Sequence, residues 1–174
     1  MKTNKVSRFV AAVGMMAAMA TALAFLESLL PPVGIPGARL GLANIAVTAA
    51  LWLLGVGGGV ATAAVKVLFV LLTRGVTAGF LSLCGTTAAV TITLLLMPLY
   101  KKQTMTFVGV CVSASAMHSL FQLLGASVLL SASVMSYTPL MLLVSVPTGI
   151  LTGLILNGIL PRLTPALRRS VEKG

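Results

Sequence analysis

Between Phe9 and Pro161 the chain carries only six charged side chains, Glu27, Arg39, Lys66, Arg74, Lys101 and Lys102, and they punctuate apolar runs of membrane-spanning length. In hydrocarbon every backbone N–H and C=O must find an internal partner, so only helices and closed barrels can cross. The runs approach the roughly 20 residues that a helix needs for a core of about 30 Å. They lack the alternation over about 10 residues that marks barrel strands. The expected fold class is therefore an all-α integral membrane protein. Composition agrees, with 58% apolar and 8% charged residues where a soluble domain carries about a quarter charged.

The pattern predicts a single transmembrane domain with spans at about 9–30, 40–54, 58–73, 79–99, 106–130 and 138–160. The second is the shortest, and the Gly55–Val56–Gly57–Gly58–Gly59 cluster separates it from the third. One helix over 40–73 would be about 50 Å long, too long for the bilayer without severe tilt, so a turn is expected at the glycines. Charge supports the same count. With six spans and cytoplasmic termini, nine basic residues lie inside and Arg39 and Arg74 outside; five spans would place Arg162, Arg168, Arg169 and Lys173 outside, against the positive-inside rule. Lys2, Lys5 and Arg8 ahead of Ala20-Thr21-Ala22 imitate a secretory leader. The run continues to Leu30, which favours a retained first helix in the cytoplasmic membrane.

Several functions are disfavoured. The net charge of +10 comes from dispersed basic residues at the ends of apolar runs, a topology signal and not a nucleic-acid patch. Cys84 and Cys111 lie in different runs without metal-like spacing, so no metal or cofactor is expected and both read as buried apolar thiols. The glycine cluster is not followed by Gly-Lys-Ser/Thr, so there is no P-loop, and any ATP hydrolysis belongs to another subunit.

Each span has a polar side. Helical spacing puts Thr62, Lys66, Phe69 and Thr73 on one face of the third span, and Cys111, Ser115, His118 and Gln122 on one face of the fifth. The fourth offers Cys84, Thr87 and Thr91, the sixth Ser145, Thr148 and Thr152. With the expected topology, Glu27, Arg39, Asn44, Lys66, Arg74, His118 and Gln122 all fall at mid-membrane or in the outer half. That describes a pocket open to the exterior, since ionisable groups inside a membrane face protein or water. Three cations against Glu27 favour an anionic ligand. Each residue also has a plain structural reading: a Glu27–Lys66 ion pair, a snorkelling Arg74, a solvated Arg39, an interhelical His118–Gln122 contact. Pro31 to Gly37 forms either a lid hinged at Gly34 and Gly37 or a simple connector. Gly14, Ala18 and Ala22 recur every fourth residue, a surface suited to close helix packing or to docking a partner subunit.

Glu27-Ser-Leu-Leu-Pro-Pro, Pro36-Gly-Ala-Arg-Leu-Gly-Leu-Ala-Asn44, Lys66, and His118 with Gln122 together resemble the bacterial family labelled heptaprenyl diphosphate synthase component I, also called the Gx transporter family, over about residues 9–160. The six-helix plan with small residues on helix one is similar to the S-components of energy-coupling factor transporters. The latter resemblance implies a subunit that takes up a small, vitamin- or cofactor-like anion with a transmembrane coupling subunit and two ATPases; Glu27, Arg39, Asn44, Lys66, Arg74, His118 and Gln122 would form its site and Gly14, Ala18 and Ala22 its docking face. The former implies a membrane subunit of a prenyl synthase in isoprenoid quinone biosynthesis. The chain contains no aspartate, and prenyl transfer needs clustered carboxylates to hold Mg²⁺ against the diphosphate. It is therefore expected to be at most a non-catalytic accessory subunit. A proton-coupled secondary transporter using Glu27 or His118 is a third class.

Overall fold

The computed structural model describes residues 2–29 and 41–172, with side chains over 6–29 and 41–163. The chain forms α1 (Lys2–Ser28), α2 (Asn44–Arg74), α3 (Val76–Lys101), α4 (Phe107–Leu129), a short 3-10 turn (Ala132–Tyr137) and α5 (Thr138–Glu172). No strand occurs among the described residues. Five helices there are long and apolar enough to cross a membrane, with α2 counted once. Leu72, Val76, Val128 and Leu143 stand more than 70% exposed, which in water would be unfavourable and against lipid tails is the expected outer surface. This is a multi-pass membrane protein.

The expected span 40–54, from Asn44 on, and the whole of 58–73 lie within α2, and the turn between them is narrower than the glycine cluster suggested. Only Gly55 leaves the helical region, at φ 76° and ψ −172°, a left-handed conformation that favours glycine. The chain nevertheless folds back there. Lys66 Nζ lies 3.1 Å from Asn44 Oδ1, whereas 22 residues of straight helix would separate these positions by about 33 Å. Close approach of the arms explains Gly59, where a Cβ would fall 3.0 Å from the Leu51 Cα. The first arm, 44–54, is about 16 Å long, too short to cross the hydrocarbon core by itself. It is walled in by protein, with every residue from Ile45 to Leu51 buried.

Other boundaries shift modestly. Helix α3 begins at Val76, three residues earlier than expected, because a single residue, Gly75 at φ 88°, carries the chain out of α2. Helix α5 continues well past residue 160 to Glu172.

Neighbouring helices pack in sequence, α1 on α2, α2 on α3, α3 on α4 and α4 on α5, and α5 also returns to α2. A close crossing joins α4 to α5. Gly149 and Gly153 are four apart, and a Cβ on them would lie 2.6 Å from Val112 Cα and 2.8 Å from Val108 Cα, the close backbone approach that a GxxxG pair permits. Ser115 and Thr148 hydroxyls add a 3.0 Å bond across the same seam. Gly149→Ala is expected to lower stability by about 1–3 kcal/mol through overpacking, read as a fall in melting temperature, whereas Gly158→Ala, with nothing within 4 Å, should not.

At one end of the bundle Trp52, Tyr100 and Phe107 meet edge to face, with ring centroids 5.0, 5.0 and 5.6 Å apart. Such pairs contribute beyond their buried area, and they hold the Gly55 end of α2 against α3 and α4. The polar groups gather at the opposite end.

Candidate functional site

The buried face of α1 runs through Ala17, Ala20, Ala24 and Glu27, three and four residues apart, so the small side chains bring the helix close and the carboxylate enters last. Glu27 is 3% exposed and its Oε1 accepts the Gly41 backbone N–H. Gly41 has φ 83° and its carbonyl accepts the Asn44 N–H at 2.8 Å, a turn that starts α2. A side chain at 41 would meet Asn44 Nδ2 at 3.0 Å and His118 Cδ2 at 3.1 Å, so glycine serves both the backbone angle and the space.

Lys66 is 4% exposed, and its ammonium donates to Asn44 Oδ1 and, at 2.7 Å, to Thr86 Oγ1. These bonds tie the two arms of α2 to α3. Arg74, eight residues further along α2, donates to the Ala24 carbonyl of α1. From α4 come His118, 2% exposed, and Gln122, 3% exposed. The imidazole lies against the backbone of Gly85, where a Cβ would fall 2.6 Å from His118 Cε1 and 2.7 Å from Nδ1.

Five of the seven expected binding residues, Glu27, Lys66, Arg74, His118 and Gln122, line one cavity, together with Gly41 and Ser82. Asn44 stands behind it, holding Lys66. Arg39 and the Pro31–Gly37 segment lie outside the described residues. The cavity has room for about 20 Å³, enough for one or two waters and too little for a vitamin-sized molecule. A larger hollow of about 230 Å³ between α2 and α3 is walled by Val60, Ala63, Val67, Leu83 and Val90 and lacks convergent charge. Among the described residues no three His, Cys, Asp or Glu side chains gather as metal ligands would.

Two of the expected polar faces need correction. On α2 the buried line is Thr62, Lys66 and Val70, leading to the partly buried Arg74; Thr73 is exposed, and its hydroxyl bonds to the Phe69 carbonyl. On α3 the expected inner side, Cys84, Thr87 and Thr91, is wrong: both threonines are exposed, and the buried line is Ser82, Gly85, Thr86, Ala89 and Thr93. Thr87 and Thr91 return their hydroxyls to carbonyls four residues back, so a helix can turn threonine towards lipid with no unpaired donor. Ser82, Gly85 and Thr86 were therefore missed. Their signal in the sequence is smallness: with Ala78 and Ala89 they form the one stripe of α3 without a bulky side chain.

Gly14, Ala18 and Ala22 lie on the exposed side of α1, offset from its packing face. Cys111 is buried at 2% exposure, whereas Cys84 is partly exposed, and both thiols are free. Against known families, the model described as heptaprenyl diphosphate synthase component I matches residues 16–159. The chain belongs to the heptaprenyl diphosphate synthase component I family. The match covers every residue of the cavity, so the polar cluster lies inside the family's own segment. No curated protein and no solved structure matches the chain.

Proposed function

We propose that this member of the heptaprenyl diphosphate synthase component I family is a non-catalytic membrane subunit that holds an anionic group, the diphosphate head of a prenyl chain being the form to which the family description points. The observation carrying this reading is the cavity in which Lys66 and Arg74 face one carboxylate, Glu27, inside an apolar bundle. Two cations beside one carboxylate, with Lys66 buried, leave a net positive charge that an anion would offset. The absence of aspartate assigns the Mg²⁺-dependent transfer to a partner, a soluble aspartate-bearing synthase acting in isoprenoid quinone biosynthesis. At about 20 Å³ the cavity is too small for a whole head group, so binding one requires its walls to move, the Glu27 end of α1 away from Gly41 among them.

A second reading, uptake of a small anion with a transmembrane coupling subunit and two ATPases, draws support from the exposed Gly14, Ala18 and Ala22 face. Small residues on a lipid-facing helix suit docking of another helix. In both readings the two arms of α2 count separately, giving six membrane segments in the cytoplasmic membrane with both termini in the cytoplasm. Native mass spectrometry of the complex purified from its own membrane decides between them. Co-purification of a synthase, with loss of prenyl chain elongation when this chain is deleted, supports the first; co-purification of ATPases overturns it in favour of the second.

A further inference from the structure

A separate cavity of about 310 Å³ opens at the aromatic end of the bundle. Trp52, Tyr100 and Phe107 wall one side of it, and Asn157, Leu160 and Pro161 of α5 the other. Its volume falls within the range of small-ligand sites, about 300–1,000 Å³. None of the residues around Lys66 borders it.

Asn157 interrupts an otherwise apolar stretch of α5, Leu154-Ile155-Leu156-Asn157-Gly158-Ile159-Leu160. It is exposed, and its carboxamide has no hydrogen-bond partner among the described residues. Against lipid tails an unpaired amide is costly, so a polar group belongs beside it. Arg162 follows five residues later, about 7 Å along the helix. With that guanidinium in water, Asn157 sits at the level where lipid head groups meet their chains.

Charge narrows the occupant. Lys101 and Lys102 follow Tyr100, and Arg162 follows Pro161; all three are exposed. The two carboxylates of the chain lie elsewhere: Glu27 belongs to the opposite end of the bundle, and Glu172 comes eleven residues after Pro161, about 16 Å along α5. The surroundings are therefore cationic, which disfavours a cation among the aromatic rings and favours an anion. Apolar and aromatic walls, one amide and a basic margin together match an anionic amphiphile.

We infer that this cavity seats an anionic membrane phospholipid, with its upper chain against Trp52, Phe107 and Leu160, its ester or phosphate oxygens at Asn157, and its charge offset by Lys101, Lys102 and Arg162. Basic pockets between spanning helices suit such head groups, and aromatic side chains favour that interface. Bound there, the lipid bridges α5 to the Gly55 end of α2. The inference does not depend on the anion-binding reading of the Lys66 cavity.

Trp52 is the only tryptophan in the chain, so its fluorescence reports on this cavity alone. The full-length protein is reconstituted in phosphatidylcholine bilayers that receive either phosphatidylglycerol or phosphatidylcholine with brominated chains, which quench indole on contact. The anionic lipid is expected to quench at about tenfold lower mole fraction than the neutral one. Replacing Lys101, Lys102 and Arg162 by glutamine should abolish that preference. Asn157→Leu, which keeps the volume and removes the amide, should reduce it about fivefold, the loss of one hydrogen bond. Equal quenching by the two lipids, or none by either, overturns the inference. So does a preference that survives Asn157→Leu unchanged and falls only with the basic residues, since surface charge alone then explains it. Reversal of the quenching by inorganic phosphate, but not by sodium chloride of equal ionic strength, would mark a site for a small free phosphate and overturn the lipid assignment.

Discussion

Lys66→Met should abolish anion binding, weakening it at least a hundredfold, and should also lower stability by about 3–5 kcal/mol, the range for removing one partner from a buried charged network. Methionine fills similar space without charge. It leaves Asn44 Oδ1 and Thr86 Oγ1 without their shared donor, and Glu27 keeps its place in a low-dielectric cavity with one cation fewer. Two consequences can be separated. After Lys66→Met the cavity keeps one cation, Arg74, and one carboxylate, Glu27, so adding Glu27→Gln should not recover the melting temperature, while binding stays absent. Binding by Lys66→Met at the parent's affinity would show that the cavity is not the anion site.

Gly85→Ala is expected to have the next largest effect, because one methyl group would strike the His118 imidazole and backbone. The new Cβ would lie 2.6 Å from His118 Cε1 and 2.9 Å from the His118 carbonyl oxygen. The ring can rotate away, but the carbonyl belongs to α4, so α3 and α4 must separate. A cost of about 1–3 kcal/mol follows from overpacking. Anion binding should weaken as well, since the displaced His118 ring is one of the cavity walls. Gly57→Ala provides the contrast: nothing lies within 4 Å of that position, and alanine there should be neutral or stabilise by up to about 1 kcal/mol through helix propensity. Equal losses from both substitutions would indicate a general intolerance of the bundle and no special fit at Gly85.

Much of the site was legible one residue at a time. Glu27, Lys66, His118 and Gln122 stand out because polar and charged groups in spanning segments must face inward, and the structure buries all four. The faces of α2 and α3 were less legible. Thr73, Thr87 and Thr91 look like inward polar groups, yet each is exposed with its hydroxyl bonded to its own helix. Gly41, Ser82 and Gly85 carry no charge and gain meaning only from proximity to Glu27, Asn44 and His118. The GxxxG pair at Gly149 and Gly153 is written in the sequence, but its partner surface, Val108 and Val112, is not.

By itself the sequence determined that this chain is helical and embedded in a membrane, that its few internal charges must be shielded from lipid, and that it lacks the carboxylates for Mg²⁺-dependent prenyl transfer. Those conclusions follow from composition and from the cost of unsatisfied polar groups in hydrocarbon, which needs no knowledge of neighbours. Only the tertiary structure decided that α2 folds back at a single glycine, that Lys66 is held by Asn44 and Thr86, and that Ser82 and His118 line one small cavity. Those facts depend on contacts between residues far apart in the chain, and a hydrophobic pattern fixes which face of a helix turns inward far more loosely than it fixes that the helix exists.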